Sequence, residues 1–380
     1  MKAAATAASL ILTLFATTAL ARPVALSDNQ LNQIVAGEDF TIVNEVSDLA
    51  ALNPTTVDPL LVNPWGLSQP SATGPLWVAN NGTGTSTLYN FTTFAKITTL
   101  TVTIPGAGGA QGTPTGTTFT NRDKNTFRVT SPAGVTGHSL FLFDGQDGTI
   151  SGWAPTVDFT HAIIAVDLSD TGASFFGLTL KDLGSASQIY AADFGNRRVD
   201  VFNNQFQMVG SFTDPSLPED YAPFNVQTLG DKIYVAYAQR EEDEAEEVTG
   251  AGLGYIVVFD TAGHKLKTLV SAGGALNAPW GMTIAPASFG QFAGKLLVGN
   301  FGDGKINVYD PDSGALLGTL SDHDVPLAVS GLWALRPGPD GSVVFSAGIE
   351  DETHGLVGVI RPSWSQASWA YQSHVTLPGH

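Results

Sequence analysis

The 380-residue chain has no cysteine, only 17 Lys and Arg against 35 Asp and Glu, and almost no long apolar run. The missing thiols exclude a disulfide framework, thiolate metal centres and thiol nucleophiles, so stability must rest on buried apolar surface. The shortage of base leaves a formal charge of −18. Such a surface repels phosphate backbones, which argues against nucleic acid as a partner and favours cations or basic ligands. The one apolar run follows Lys2, passes through Leu10, Ile11, Leu12, Leu14 and Phe15, and ends at Ala19-Leu20-Ala21. That pattern reads as a secretory signal cleaved before Arg22, and the run is too short to cross a bilayer comfortably. The expectation is an exported protein, secreted or periplasmic, with no membrane span.

What the chain has in quantity is turn-forming residues, 42 Gly and 21 Pro. Turns are then plentiful and long helices are not, so the fold class is all-β. Six similar openings recur: Pro64-Trp65-Gly66-Leu67, Pro114-Thr115-Gly116-Thr117, Phe176-Gly177-Leu178, Pro223-Phe224-Asn225-Val226, Pro279-Trp280-Gly281-Met282 and Leu332-Trp333-Ala334-Leu335. Their third positions lie 48 to 61 residues apart, the length of a four-stranded propeller blade. The spacing predicts a six-bladed β-propeller over 39–361, after a signal at 1–21 and an arm at 22–38, with a tail at 362–380. The alternating stretch Phe40 to Val46 is expected to close the ring by completing the last blade. The segment from Ser363 to His380, with Trp364 and Trp369, is the other candidate for that strand. A closed ring leaves no free sheet edge, so a monomer is expected.

The second strand of each repeat carries the strongest signal. Trp77-Val78-Ala79-Asn80, Tyr190-Ala191-Ala192-Asp193 and Leu297-Val298-Gly299-Asn300 align residue by residue, each followed by a turn and an alternating third strand. These units resemble NHL repeats, and Tyr190 to Phe202, with Asp193, Gly195, Asn196, Arg198, Val199 and Val201, fits that pattern nearly in full. Asp58 to Gly66, Gly210 to Pro215, Gly250 to Gly254 and Asn300 to Gly304 are similar to a family of exported bacterial propellers without an assigned activity. That resemblance implies the fold and carries no catalytic residues.

Second-strand ends of a propeller gather around one mouth of the central channel. Asn80, Ser131, Tyr237, Asn300 and Gly348 read as being in register with Asp193. Asn80, Asp193 and Asn300, from alternate blades, offer the hard oxygen ligands that a divalent cation such as Ca²⁺ takes. The alternative is that these side chains only hydrogen-bond their own turns. The acidic run Glu241 to Glu247 and the group Glu350, Asp351, Glu352 and His354 are expected at the same mouth, as a solvated loop or a site for a cation or basic peptide. A three-histidine zinc site like that of some NHL-type lyases does not carry over, because only His354 and His138 of the seven histidines fall near matching loops. No Gly-x-Ser-x-Gly elbow occurs. Trp65, Trp280 and Trp333 are expected to pack between blades. The function expected is a binding or interaction module with a small-molecule or cation site at that mouth. The alternative is a divalent-metal-dependent hydrolase or lyase resembling lactonase-type propellers, with Asp193 or Glu350 moving a proton.

Overall fold

A computed structural model describes residues 39–241 and 245–363. The signal, the arm, the middle of the acidic run and the two C-terminal tryptophans lie outside the described residues. Each predicted opening forms the first strand of one antiparallel sheet: Pro64–Ser68, Pro114–Phe119, Phe175–Lys181, Tyr221–Leu229, Pro279–Ile284 and Leu332–Pro337. Three further strands follow in order in five of the sheets and two in the sixth, and the six first strands lie side by side around a central axis. The protein is an all-β, six-bladed propeller. No helix among the described residues is long and apolar enough to cross a membrane.

Burial follows strand position. Second strands such as Leu76–Asn80 and Leu296–Asn300 are buried along their whole length, because neighbouring blades cover both faces, which explains their nearly continuous apolar sequences. Outer strands such as Met208–Phe212 are largely exposed. The last blade lacks a fourth strand of its own, and Asp39–Ser47 supplies it, antiparallel to Leu356–Ser363 with Ile42 opposite Ile360. The N-terminal strand therefore closes the ring, as the alternation of Phe40 to Val46 predicts.

All six first strands share one irregularity. Pro64 faces Asn80 while Leu67 faces Val78, three steps against two, and the same shift recurs at the start of the other five. An extra residue at this point is a β-bulge, which breaks the strict inward and outward alternation of side chains. Its effect here is that, counting from Pro64, Pro114, Phe175, Pro223, Pro279 and Leu332, which face the second-strand ends, the second and the fifth residue of each first strand both face the axis. The third residue sits where adjacent first strands approach most closely. A Cβ on Gly116 would lie 2.2 Å from the backbone nitrogen of Leu178, and one on Gly281 would lie 2.4 Å from the carbonyl oxygen of Trp333.

Two register assignments need correction. A hairpin, Arg128–Thr130 with Thr136–His138, is inserted between the first and second strands of blade two. Ser131 lies in its turn, and Gly145, opposite Pro114, takes the place matching Asp193. The insertion has strand-like alternation of its own, and the His138 ring fastens it to the carbonyls of Thr126 and Asn121 at 2.7 and 2.8 Å. In blade six the matching residue is Ala347, opposite Leu332, and not Gly348.

Candidate functional site

The central channel has two unlike ends. Where the first strands begin, their second residues are Trp65, Thr115, Phe176, Phe224, Trp280 and Trp333, and the five aromatic rings meet on the axis together with Phe194 and Phe301. Trp65 stacks on Trp333 with ring centres 3.5 Å apart, and Trp280 meets Trp65 edge-on at 6.1 Å. The Trp280 indole N–H donates across the ring to the Phe176 carbonyl at 2.9 Å, and that of Trp333 donates to Asn63 Oδ1 at 3.0 Å. The tryptophans are core residues as expected, but they pack against one another on the axis and not between blades. They close this end.

Blade two interrupts the aromatic set with Thr115, whose hydroxyl lies 2.9 Å from Asp144 Oδ1. The Gly116 N–H donates to the same oxygen at 2.6 Å. Asp144 Oδ2 has no partner among the described residues. Burial pushes this carboxyl up to about 7, since removing water penalises the charged form more than two hydrogen bonds restore it.

Three residues further along the same strands the channel opens into a cup of about 510 Å³. Its wall carries one polar side chain from each blade at the fifth position of the first strand: Ser68, Thr118, Thr179, Gln227, Thr283 and Arg336. Pairing with the second strands confirms that they share one level, because Ser68 faces Trp77, Thr179 faces Tyr190 and Thr283 faces Leu297, each three residues before its second-strand end. Neighbouring blades are stitched at this level. The Phe119 N–H donates to Ser68 Oγ at 2.8 Å, and the Thr228 N–H to Thr179 Oγ1 at 3.1 Å. Beyond the polar level the wall turns apolar at Phe119, Leu180, Leu229 and Ile284.

Arg336 is the only cationic side chain in this wall. One of its N–H groups donates to the Leu67 carbonyl at 3.3 Å, while its buried Nε has no partner. No carboxylate among the described residues pairs with it. The side chain is half-buried, and that burial lowers its pKa to about 10, as expected of a guanidinium partly withdrawn from water with no counter-charge. Asp182, exposed at the rim, is the one acid in the lining and is engaged with Ser187 at 2.9 Å.

The candidate ligand and proton-transfer residues of the sequence, Asn80, Asp193, Asn300 and Glu350, stand away from the cup, and none of them lines it. Asn80, Asp193 and Asn300 do end the second strands of alternate blades, and each is fully buried. Their hydrogen bonds stay local: Asn80 to Thr85 and Thr87, Asp193 to Ser174 and Asn196, Asn300 to Ala275 and Asp303. Asn80 Oδ1 and Asn300 Oδ1 remain unpartnered. Glu350 is exposed, 3.7 Å from His354 Nε2. Glu352 takes the inward place, 2.6 Å from Asn63 Nδ2. The two acidic segments do converge: burial, then the charges of Glu352 and Glu246, raise Glu247 to about 7. Among the described residues a separate group, Asp39, Asp322 and His323, has the spacing of metal ligands, and it too lies outside the cup.

The polar level escaped the sequence reading because an unbroken strand would send residues two and five to opposite faces. The signal was present nonetheless. Stacking the six openings puts Ser, Thr, Thr, Gln, Thr and Arg in one column, four residues after the first position.

Comparison with known proteins places this architecture. No family model matches the chain. Among solved structures, a streptogramin B lyase superposes with a TM-score of 0.50 over 85% of this chain and 97% of its own, at 13% identity, a likeness of fold alone. Two proteins of Acanthamoeba polyphaga mimivirus are similar in sequence. "Uncharacterized protein L690" is 32% identical over 313 residues, covering 79% of this chain and 80% of its own length. "Uncharacterized protein R648" is 31% identical over 315 residues, covering 80% and 76%. By that identity and coverage, the chain belongs to the family represented by these two viral proteins.

Proposed function

We propose that this propeller is a binding module whose small-molecule site is the open cup of the central channel. The supporting observation is the cup itself, a concave space of about 510 Å³ in which all six blades present a polar side chain at one level, with apolar side chains at Phe119, Leu180, Leu229 and Ile284 beyond it. Ligand sites are concave and mostly apolar, with a few placed polar groups. The leader-like stretch from Lys2 to Ala21 adds that the module works outside the cell that makes it. A thermal-shift screen of a small-molecule library on the wild type and on Thr283→Trp, which fills the cup, tests the reading. Compounds that stabilise only the wild type are expected. A library whose stabilisers act equally on the filled variant would sink the idea.

A second reading concerns the closed end. The unpartnered oxygens of Asn80 and Asn300, with Asp193, are the donor types a Ca²⁺ ion takes. Calorimetric titration with calcium or manganese would show binding that Asp193→Ala removes, and identical flat traces for both proteins would dispose of it. The hydrolase or lyase alternative, with Asp193 or Glu350 moving a proton, predicts EDTA-sensitive turnover of esters or lactones. The cup is preferred because it couples a cavity to an uncompensated polar group.

A further inference from the structure

The cup contains a charge that the fold does not neutralise. In a chain of net charge −18, Arg336 is enclosed with one protein acceptor, an unpartnered Nε and no acid beside it. Arg336 is half-buried, and a guanidinium partly withdrawn from water costs stability unless something completes it. A planar fork of N–H donors is shaped for a carboxylate or a phosphate. The rest of the polar level consists of neutral hydroxyls and one amide, so the wall can balance one negative charge and not two. Basic groups also flank the opening: Lys181 Nζ caps the carbonyl of Gly230 at 2.8 Å, and Arg122 lies 6.0 Å from the ring centre of Phe119. Both Gly230 and Phe119 belong to the wall.

We infer that the cup takes an organic monocarboxylate with an apolar body, its carboxylate paired with the Arg336 guanidinium and its body lying against Phe119, Leu180 and Ile284. This rests on the reading of the cup as the ligand site. Ser68, Thr179 and Thr283 hydroxyls surround the pair, and the aromatic packing at the closed end fixes the depth to which a ligand can enter.

Calorimetry with 4-phenylbutyrate, its neutral amide and inorganic phosphate separates the possibilities. The acid is expected to bind the wild type at least about tenfold more tightly than the amide, the discrimination of one desolvated charge-assisted pair. Arg336→Met is expected to bring the acid down to the level of the amide and leave the amide unchanged, with Arg336→Lys in between. Thr283→Trp is expected to abolish both. Unfolding curves check that each variant is folded, and Arg336→Gln replaces Arg336→Met if that protein fails to fold. Equal binding of acid and amide, both lost in Thr283→Trp, overturns the carboxylate assignment and leaves the cup as a site. Acid binding that survives Thr283→Trp overturns the assignment and the cup together. Displacement of the acid by phosphate at similar concentration overturns the monocarboxylate class, and absence of binding by both organic probes overturns the inference outright.

Discussion

The two ends of the channel are made by the same six strands, three residues apart, and they are opposites. At one, five aromatic rings fill the axis and two indole N–H groups find acceptors on other blades. At the other, six polar side chains surround a space and the one charged among them has no counter-charge. The bulge makes both ends possible, since it turns two phases of one strand toward the axis. The closed end holds the ring together; the open end leaves its one charge without a counter-charge beside a cavity. Stability and binding should therefore separate along the axis.

The largest effect is expected between the ends, at the third residue of each first strand. Gly116→Ala would drive a Cβ into the backbone of Leu178, which cannot rotate away. Overpacking of this kind costs about 3 kcal/mol or more. Gly210→Ala, on an outer strand with open space around the site, should change stability by less than about 0.5 kcal/mol. Urea unfolding of the pair measures the contrast, and a Gly116→Ala protein as stable as Gly210→Ala would show that the first strands are not packed against each other as described. At the closed end, Trp333→Ala should cost about 3–5 kcal/mol by emptying the centre of the aromatic cluster. Thr283→Ala at the open end, with a hydroxyl that faces the cup, should cost under about 1 kcal/mol by the same assay. Equal losses would end the separation of roles.

The sequence carried most of the fold and little of the site. The Pro-Trp-Gly openings, the apolar second strands and the alternating stretch from Phe40 to Val46 report local rules of burial and turn chemistry, which sequence expresses directly. Ser131 misleads because the inserted hairpin that carries it has the same alternation as a blade strand. Asn80, Asp193 and Asn300 attracted notice because strand-end Asx residues are conspicuous, while Thr118, Thr179 and Thr283 looked like ordinary strand threonines. Only the shared bulge places those threonines at the level of Arg336, and a bulge is a feature of how two strands pair, which the pattern of residues in one strand does not display. The convergence of Glu247 and Glu352 was legible, since both follow second strands and charge runs are visible in any alignment of blades.

Blade two departs from the aromatic rule, and the departure has a pH signature. Thr115 stands where an aromatic ring stands in the other blades, and beside it Asp144 is held with a carboxyl raised from its ordinary value to about 7. Below about pH 4 the group is protonated in folded and unfolded chains alike. Between about pH 4 and 7 the unfolded chain releases the proton and the folded one keeps it, so stability falls as pH rises and levels off above 7. The ceiling of this effect is roughly 4 kcal/mol, at ~1.4 kcal/mol per pH unit. Glu247, raised to about 7, adds to the slope with the same sign. Asp144→Asn should remove the Asp144 share and flatten unfolding free energy against pH across this window. A variant with the wild-type slope would mean that Asp144 is ionised in the folded protein at neutral pH.

The smallest effect tests the open end most directly, because its sign is unusual. Most substitutions of enclosed residues destabilise, but Arg336→Met keeps an unbranched apolar stem while removing a charge that has one carbonyl for company. Replacing a poorly compensated buried charge with a hydrophobic residue of similar volume is neutral or stabilising. Arg336→Met should therefore raise unfolding free energy by about 1 kcal/mol in ligand-free protein, read from the urea midpoint at constant slope. The same substitution at an ordinary structural arginine would lower it. A loss of stability would mean that Arg336 is held by the fold for the sake of the ring, and the contrast between the two ends of the channel would then reduce to a difference in polarity without a difference in purpose.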